Sequence, residues 1–394
     1  MDNKISFEDT KTAFSYKTNK ALRKSYLLFA SINNKLLVKL GTNIVNLAFK
    51  IKAPVKGIIR NTFFNQFCGG ESIDDCLNTI GLLSKYHVGA ILDYAVEGKD
   101  DDDEYDHTVD EIKKTIVLSS QNKNIPFCVF KPTGVASIDL LHKVHMDETL
   151  SPKEQTAYQK ARNRFYELGK AAYDHRVRLF IDSEDSWIQK PVDSLVNSMM
   201  EEYNKEIAYI FNTHQMYRKG MLESLVTIAE NARGKYKIGA KLVRGAYMEK
   251  ERERAEEMGY EDPIMPTKEA TDDQYNQALE YCVENLDQVH FCSGSHNENS
   301  NIYLTELMKK HGIAKDDERI HFAQLFGMSD NISFNLSAAG YNVVKYLPYG
   351  PVETTLPYLF RRAEENTSIA GQSSRELLLI KRELDRRRSN RNSR

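Results

Sequence analysis

Eight short apolar runs recur along the chain, and each is followed by a longer segment in which apolar residues return with helical spacing. The runs are rich in β-branched and aromatic residues, which is typical of buried strands. They are VGAILDY (88–94), FCVFKPT (127–133), RLFIDS (178–183), AYIFNT (208–213), KIGAKLVRG (237–245), VHFCSGS (289–295), RIHFAQLFG (319–327) and YNVVKYLPYG (341–350).

Strands that alternate with helices indicate a parallel sheet, and eight such units in roughly 280 residues is the size of a (β/α)8 barrel. The alternative is a doubly wound sheet, which would need a glycine-rich dinucleotide loop after an early strand. The chain contains no GxGxxG. We therefore predict an α/β fold with a TIM-type barrel at 86–370, a basic helical arm at 1–85 and a basic tail at 371–394.

The composition is that of a folded soluble protein, with 41% hydrophobic residues, 28% charged residues and a net charge of −2. Five scattered cysteines without a CxxC pair argue against a disulfide framework and a structural zinc site. There is no apolar run of membrane-spanning length and no recognisable signal peptide. We expect a cytoplasmic location.

The distribution of charge is more informative than its sum. Residues 10–70 contain eleven Lys or Arg and no acid, and the last twenty residues carry eight basic side chains against three acids. Segment 36–64 mixes Lys with Leu, Ile, Val and Phe, which suits a helix on an anionic membrane surface. It suits equally a helical arm packed on the main domain. No motif indicates a nucleic acid partner.

The barrel hypothesis locates the active site, because sites in this fold lie at the C-terminal ends of the strands. Each predicted strand ends in a polar, ionisable or aromatic side chain with a hydroxyl. Any one of them is more often structural than functional, but the complete series indicates a functional rim. The series is Asp93, Lys131, Asp182, Asn212 with His214 and Gln215, Arg244, Ser295 with His296 and Asn297, Gln324 and Tyr346.

The segment 346–366 follows the last strand and reads as a helix after a tight Pro-Gly-Pro exit. It places Arg361 and Glu365 on one helix face, with Arg362 beside them. They form either a surface ion pair or a guanidinium pair that binds a carboxylate, and spacing alone does not decide between these.

Lys131 follows a buried strand and has two candidate roles. A lysine with a lowered pKa forms Schiff bases, whereas a charged one binds anions. The neighbouring Asp182 favours the charged form. The first strand lacks the HxH pattern of metal-dependent barrels, so we expect no metal site.

Seven stretches of the chain resemble the proline dehydrogenase family, flavin-dependent enzymes that oxidise L-proline. The chain is most similar to the monofunctional, mitochondrial-type branch of that family. The two most specific stretches are the last two of the following list. They are FFNQFCGGES (63–72), AILDYAVEG (90–98), AYIFNTHQMY (208–217), SHNENSN (295–301), FAQLFGMSDN (322–331), GAKLVRGAYMEKERERAEEMGYEDPIMPT (239–267) and YLPYGPVETTLPYLFRRAEEN (346–366).

The resemblance implies roles for individual residues. The arginine pair and the lysine would bind the proline carboxylate, and aromatic and aliphatic side chains would surround the pyrrolidine ring. The implied catalytic set is Lys131, Asp182, Tyr346, Arg361, Arg362 and Glu365. The implied substrate-binding set is Lys131, Tyr247, Leu325, Tyr346, Arg361 and Arg362.

The resemblance also implies FAD as cofactor and a membrane quinone, ubiquinone or menaquinone, as electron acceptor, with peripheral attachment to the inner membrane. The bifunctional bacterial branch has Arg where Lys241 stands, Gln where Asn212 stands, and often Trp where Met248 stands. The implied FAD contacts are Asn212, Lys241, Val243, Gly245, Thr271, Ser295 and His296.

Three other functions compete with proline oxidation. They are a hydroxyproline dehydrogenase, a Schiff-base lyase that uses Lys131, and a non-enzymatic membrane-bound scaffold on an inactive barrel. Tyr346 favours proline, because a phenol beside the ring leaves little room for a 4-hydroxyl group. Oxidation of a carbon next to nitrogen needs an electron sink that side chains do not provide, so the first function requires the cofactor.

Overall fold

The computed structural model describes residues 5–33, 54–95, 100–368 and 372–392, with backbone only at 363–368, 372–373 and 391–392. Eight strands form a closed barrel in the order of the chain. Their bounds are β1 Val88–Tyr94, β2 Phe127–Phe130, β3 Arg178–Ile181, β4 Ile210–Gln215, β5 Ile238–Val243, β6 Val289–Gly294, β7 Ile320–Leu325 and β8 Val343–Tyr349. Each overlaps one predicted run, so the predicted (β/α)8 barrel is confirmed.

Helices follow the strands and also form both ends of the described chain. The α-helices are Thr10–Ala13, Asn19–Ile32, Lys56–Ile59, Asn65–Phe67, Ile73–Ser84, Asp102–Gln121, Ile138–His145, Pro152–Asp174, Gln189–Tyr203, Met221–Ala232, Met248–Met258, Lys268–Glu284, Glu298–Lys310, Asp330–Ala338, Leu356–Ser368 and Gln372–Asn392, with a π-helical turn at Arg60–Phe64. Polar side chains cap several of them. Ser151 and Glu154, for example, form a reciprocal capping box at the start of Pro152–Asp174.

The chain divides into two compact units, 1–97 with 324–394, and 98–323. In the first unit β1 and β8 pair in parallel from Val88 opposite Val343 to Tyr94 opposite Tyr349. In the second unit each strand from β2 to β5 pairs in parallel with the next strand of the chain. β6 pairs in the same way with Ile320 to Ala323 of β7. The predicted division into arm, barrel and tail stays a prediction.

Aromatic rings fill the interior of the second unit. Phe127 stacks on Phe180 with ring centroids 4.3 Å apart, and Phe211 meets both rings edge-on. Gly239 faces Phe211 so closely that a Cβ there would lie 2.7 Å from the ring. His321 packs edge-on against Phe127, and burial lowers its pKa to about 3, so it is neutral. Aromatic rings therefore occupy much of this interior, and His321, which packs among them, is neutral.

The first unit has its own core, to which both chain ends contribute. Phe14 and Leu22 of the N-terminal helices and Leu379 and Ile380 of the last helix are fully buried in one cluster. The segment predicted as a basic tail is therefore a packed helix over Gln372–Asn392. Residues 5–33 also pack into this core, through side chains such as Phe14, Leu22 and Phe29.

The predicted membrane segment 36–64 falls partly outside the described residues, which resume at residue 54. Among its described residues Phe64 is buried and Ile58 is 66% exposed. In the described part of the chain, no helix is long and apolar enough to cross a bilayer.

Candidate active site

The ends of β3 and β5 carry an ion pair at the mouth of the apolar interior. Lys241 Nζ donates to Asp182 Oδ1 at 2.5 Å, and the side chains are only 9% and 15% exposed. The same ammonium lies 5.3 Å from the centroid of the Phe180 ring. Strand alternation explains the meeting, because Asp182 shares a side with Phe180, and Lys241 with Gly239. The pair is a fixed dipole beside the strand ends.

A carboxylate that the sequence analysis did not identify lies next to Lys131. Glu184 accepts hydrogen bonds from the Thr133 backbone N–H at 2.9 Å and from the Thr133 hydroxyl at 2.7 Å. Burial raises the pKa of Glu184 to about 6, against the opposing effect of these bonds and of the Lys131 charge. Its position in the sequence is the signal by which it could have been found: Glu184 lies three residues after the end of β3 and two residues after the predicted Asp182.

Asn212 faces away from the barrel interior. Its Nδ2 donates at 2.7 Å to Asp193 on helix Gln189–Tyr203, and its neighbour Phe211 points inward among the rings. Gln215, three residues on, donates to Glu184 O at 2.9 Å. Gln215 Oε1 is buried and accepts no hydrogen bond from any described residue. The geometry favours Gln215 over Asn212 as the ligand-facing amide of β4, and the cofactor role of Asn212 stays untested.

Arg244 organises the ends of β5 and β6. Its guanidinium donates to Asp272 at 2.7 Å, to the Ser295 hydroxyl at 2.7 Å and to the Ser300 hydroxyl at 2.9 Å. It also lies 4.4 Å from the centroid of the Tyr275 ring. Ser295 is buried and is thereby held in one orientation. Of the other predicted cofactor residues nearby in sequence, Thr271 is buried and His296 is half-buried.

The turn after β5 requires glycine. Gly245 has φ +136°, and a Cβ there would lie 2.4 Å from the Tyr217 ring. Val243 is the last residue of β5, and Tyr247 leads into helix Met248–Met258. That helix is held by Glu251, which accepts from the Ser186 N–H at 2.6 Å and from its hydroxyl at 2.5 Å.

The remaining predicted site residues belong to the first unit. Tyr346 on β8 is buried, and its carbonyl accepts from Phe326 N–H at 2.8 Å, next to Leu325 at the end of β7. Arg361 and Arg362 are adjacent on helix Leu356–Ser368. Arg362 is buried, with its guanidinium 5.2 Å from the centroid of the Tyr358 ring. The side chain of Glu365 lies outside the described residues.

Among the described residues, no group of three His, Cys, Asp or Glu side chains lies close enough together to bind a metal ion. His214 is buried, and burial lowers its pKa to about 4. The polar groups at the strand ends are ammonium, guanidinium, amide, hydroxyl and carboxylate groups. This donor set suits an organic ligand with an anionic group.

The model of the proline dehydrogenase family matches residues 76–375. The chain belongs to this family of oxidoreductases, and the expected enzyme type is confirmed. Proline dehydrogenase 1, mitochondrial, of Dictyostelium discoideum is 30% identical over 433 residues, covering 98% of this chain and 76% of the relative.

Two further comparisons differ in what they show. The carbapenem antibiotics biosynthesis protein CarD of Pectobacterium carotovorum subsp. carotovorum is 32% identical over 371 residues, covering 94% of this chain and 96% of that protein. The solved structure of proline utilization A from Bdellovibrio bacteriovorus, inactivated by N-propargylglycine, is similar with a TM-score of 0.72 and 20% identity. This likeness shows the fold alone. It covers 91% of this chain, which spans only 38% of the solved chain.

The raised pKa of Glu184 predicts a pH-dependent contribution to stability. Because its folded-state pKa of about 6 exceeds the ordinary value of 4.5, ionisation of Glu184 opposes folding as the pH rises through this window. We expect the stability of the wild type relative to Glu184→Gln to fall by about 1–2 kcal/mol between pH 4.5 and 7. Urea unfolding of both proteins at the two pH values measures this. Glu318→Gln, at a side chain that is 87% exposed, is the control, and an equal pH response in both variants would contradict the prediction.

Proposed function

We propose that the protein catalyses the FAD-dependent oxidation of L-proline to Δ1-pyrroline-5-carboxylate and passes the electrons to ubiquinone or menaquinone in the membrane. The observation that carries the proposal is the adjacent pair Arg361 and Arg362 on the helix after β8, in a chain of the proline dehydrogenase family. Two guanidinium groups side by side suit a carboxylate, since each offers a planar fork of donors.

Bound FAD would supply the hydride acceptor that no side chain provides. The residues of the second unit fit such a group in two respects. Gln215 has a buried acceptor with no partner among the described residues. Lys241 and Arg244 place an ammonium and a guanidinium group, each paired with a carboxylate, at the end of β5. We propose Lys241, Val243, Gly245, Thr271, Ser295 and His296 as cofactor-binding residues, together with Gln215 in place of Asn212, whose side chain donates to Asp193.

The substrate would be held at both of its ends. Arg361, Arg362 and Lys131 would bind the carboxylate, while Tyr346, Leu325 and Tyr247 would surround the pyrrolidine ring. The cationic side chains also lower the pKa of the bound amine, which favours the neutral form that can lose hydride. Fixing both ends limits the motion of the reacting carbon, which is how binding energy accelerates the step.

A spectrum and an assay of the purified protein test the proposal. We expect a flavin absorption spectrum that bleaches when L-proline is added without an acceptor, and recovers with a quinone analogue. Borohydride trapping of a carbonyl substrate on Lys131 would instead support the lyase. A protein that binds no FAD on reconstitution would refute the proposal and leave the scaffold.

The arginine pair makes a quantitative prediction. Arg361→Met should raise KM for proline by at least 30-fold, because losing one charged partner of a desolvated carboxylate costs about 2–5 kcal/mol. Steady-state kinetics with a quinone analogue measures the change. Arg233→Met, at an arginine paired with Glu230 on the surface, should leave KM unchanged. A change below threefold in Arg361→Met would remove this residue from the substrate site.

Tyr346 predicts the selectivity against 4-hydroxyproline. We expect Tyr346→Ser to improve the ratio of kcat/KM for hydroxyproline over proline by about 10-fold, because packing alone discriminates by about 1–3 kcal/mol. Tyr346→Phe keeps the ring and should keep the selectivity. If Ser and Phe variants select equally, Tyr346 does not fill the space of the hydroxyl group.

Peripheral attachment to the inner membrane follows from a quinone acceptor, with 36–64 as the main contact and 375–394 as a helper. In its support, Ile58 is exposed, and the flanking Lys56 and Arg60 are about half exposed although both pair with Glu71. Each basic residue near an anionic surface contributes up to ~1 kcal/mol. We expect co-sedimentation with anionic vesicles at low salt and release at high salt. Equal binding after deletion of 1–60 from a folded, active enzyme would place the contact elsewhere.

A further inference from the structure

A cluster of buried charges lies in the first unit, outside the proposed substrate and cofactor residues. Asp330, at the start of helix Asp330–Ala338, is its centre. Lys345 Nζ on β8 lies 3.1 Å from Asp330 Oδ1, and Lys17 Nζ of the N-terminal arm lies 3.2 Å from Oδ2. The Tyr16 hydroxyl donates to the same carboxylate at 2.7 Å. Glu376 of the last helix is also buried.

The cluster is bonded to the backbone of the loop that follows β7. Lys345 Nζ donates to Met328 O at 2.5 Å and to Leu325 O at 3.4 Å. From the other side, Glu376 accepts the backbone N–H of Ser329. Buried charges from β8 and from the last helix therefore fix both ends of the 325–329 loop.

Ser329 explains why this loop needs support. Its φ is +49°, a left-handed conformation that costs a residue other than glycine on the order of 1 kcal/mol. The N–H accepted by Glu376 belongs to this same residue. The loop begins at Leu325, and Lys345 directly precedes Tyr346. Both Leu325 and Tyr346 are residues that would contact the pyrrolidine ring.

We propose that Glu376 and Lys345 are positioning residues for the substrate, so that the C-terminal helix Gln372–Asn392 sets the placement of Leu325 and Tyr346. This inference rests on the proposed function for the identity of the substrate. It makes the last helix, which contributes no residue to the predicted site, part of the catalytic apparatus. Removing one partner of such a buried network leaves an uncompensated charge. A single substitution here should therefore change the conformation of the 325–329 loop.

The charges around Glu376 give the network a pH response. Asp330, Lys345 and Lys17 face it, and burial together with the Asp330 charge raises the pKa of Glu376 to about 7. Because this exceeds the ordinary value of 4.5, ionisation of Glu376 costs stability as the pH rises from about 4.5 to 7. The neutral carboxyl still accepts the Ser329 N–H on the acid side of this window.

The same helix offers a matched control. Glu383 lies two turns after Glu376 and is also fully buried. It accepts from Thr10 at 3.0 Å and pairs with Arg386 and Arg387. These partners lie on the N-terminal arm and on its own helix, so Glu383→Ala weakens the contact between the helix and the arm and removes no bond to the 325–329 loop.

The kinetic experiment compares three variants of the full chain. We expect Glu376→Ala to raise KM for proline at least fivefold with unchanged flavin content. Glu376→Gln keeps an acceptor for Ser329 N–H, so its KM should stay within twofold of the wild type. Glu383→Ala should lower the melting temperature and leave KM unchanged.

Hydrogen exchange gives a readout that does not depend on the reaction. The amides of 326–329 should exchange at least tenfold faster in Glu376→Ala than in Glu383→Ala. If the wild type does not oxidise proline, the proposed function fails, while exchange still decides whether Glu376 anchors the loop. If the wild type oxidises proline and the two Ala variants match in KM and in exchange, the positioning role is overturned.

Discussion

The stacked rings inside the barrel are the constraint from which the character of the site follows. Phe127, Phe180 and Phe211 pack together inside the barrel, and β5 presents Gly239 where a Cβ would collide with the Ile210 carbonyl and the Phe211 ring. An interior packed in this way has no room for water or for unpaired polar atoms. Where charged side chains border these rings, as Lys241 and Asp182 do beside Phe180, they neutralise each other. The rim therefore combines aromatic packing with oriented charges.

Removing charged side chains from water costs free energy, and the structure offsets this cost by pairing them. Arg244 reaches three partners from one guanidinium, and Asp330 receives two ammonium groups and a phenol. Buried ions of this kind give little net stability compared with apolar side chains of the same size. Their contribution is to specify one arrangement of loops, because every alternative arrangement leaves a charge unsatisfied.

The sequence predicted the strands well, since strands buried on both faces form nearly continuous apolar runs. It predicted the rim less well, because the side on which a residue lies depends on the phase of the strand. Asn212 and Gln215 are both amides in β4, and only the inward packing of Phe211 shows that Asn212 faces the helices. Glu376 and Ser329 are far apart in sequence, and no local pattern connects them. The composition of the C-terminal segment likewise does not show how it packs. Its basic residues dominate the composition, whereas Leu379 and Ile380 determine its packing.

The pairing of β1 with β8 has a consequence for how the protein is made. Val88 and Val343 are neighbours in the sheet, yet the ribosome adds them roughly half a minute apart at typical rates of about 5–20 residues per second. During that interval β1 has no partner on this side, and its apolar residues remain available to other chains. Closing so long a loop is also entropically slow. The N-terminal helices also remain without part of their core until the helix Gln372–Asn392 is synthesised. Until then the nascent chain exposes apolar surface of the kind that chaperones bind.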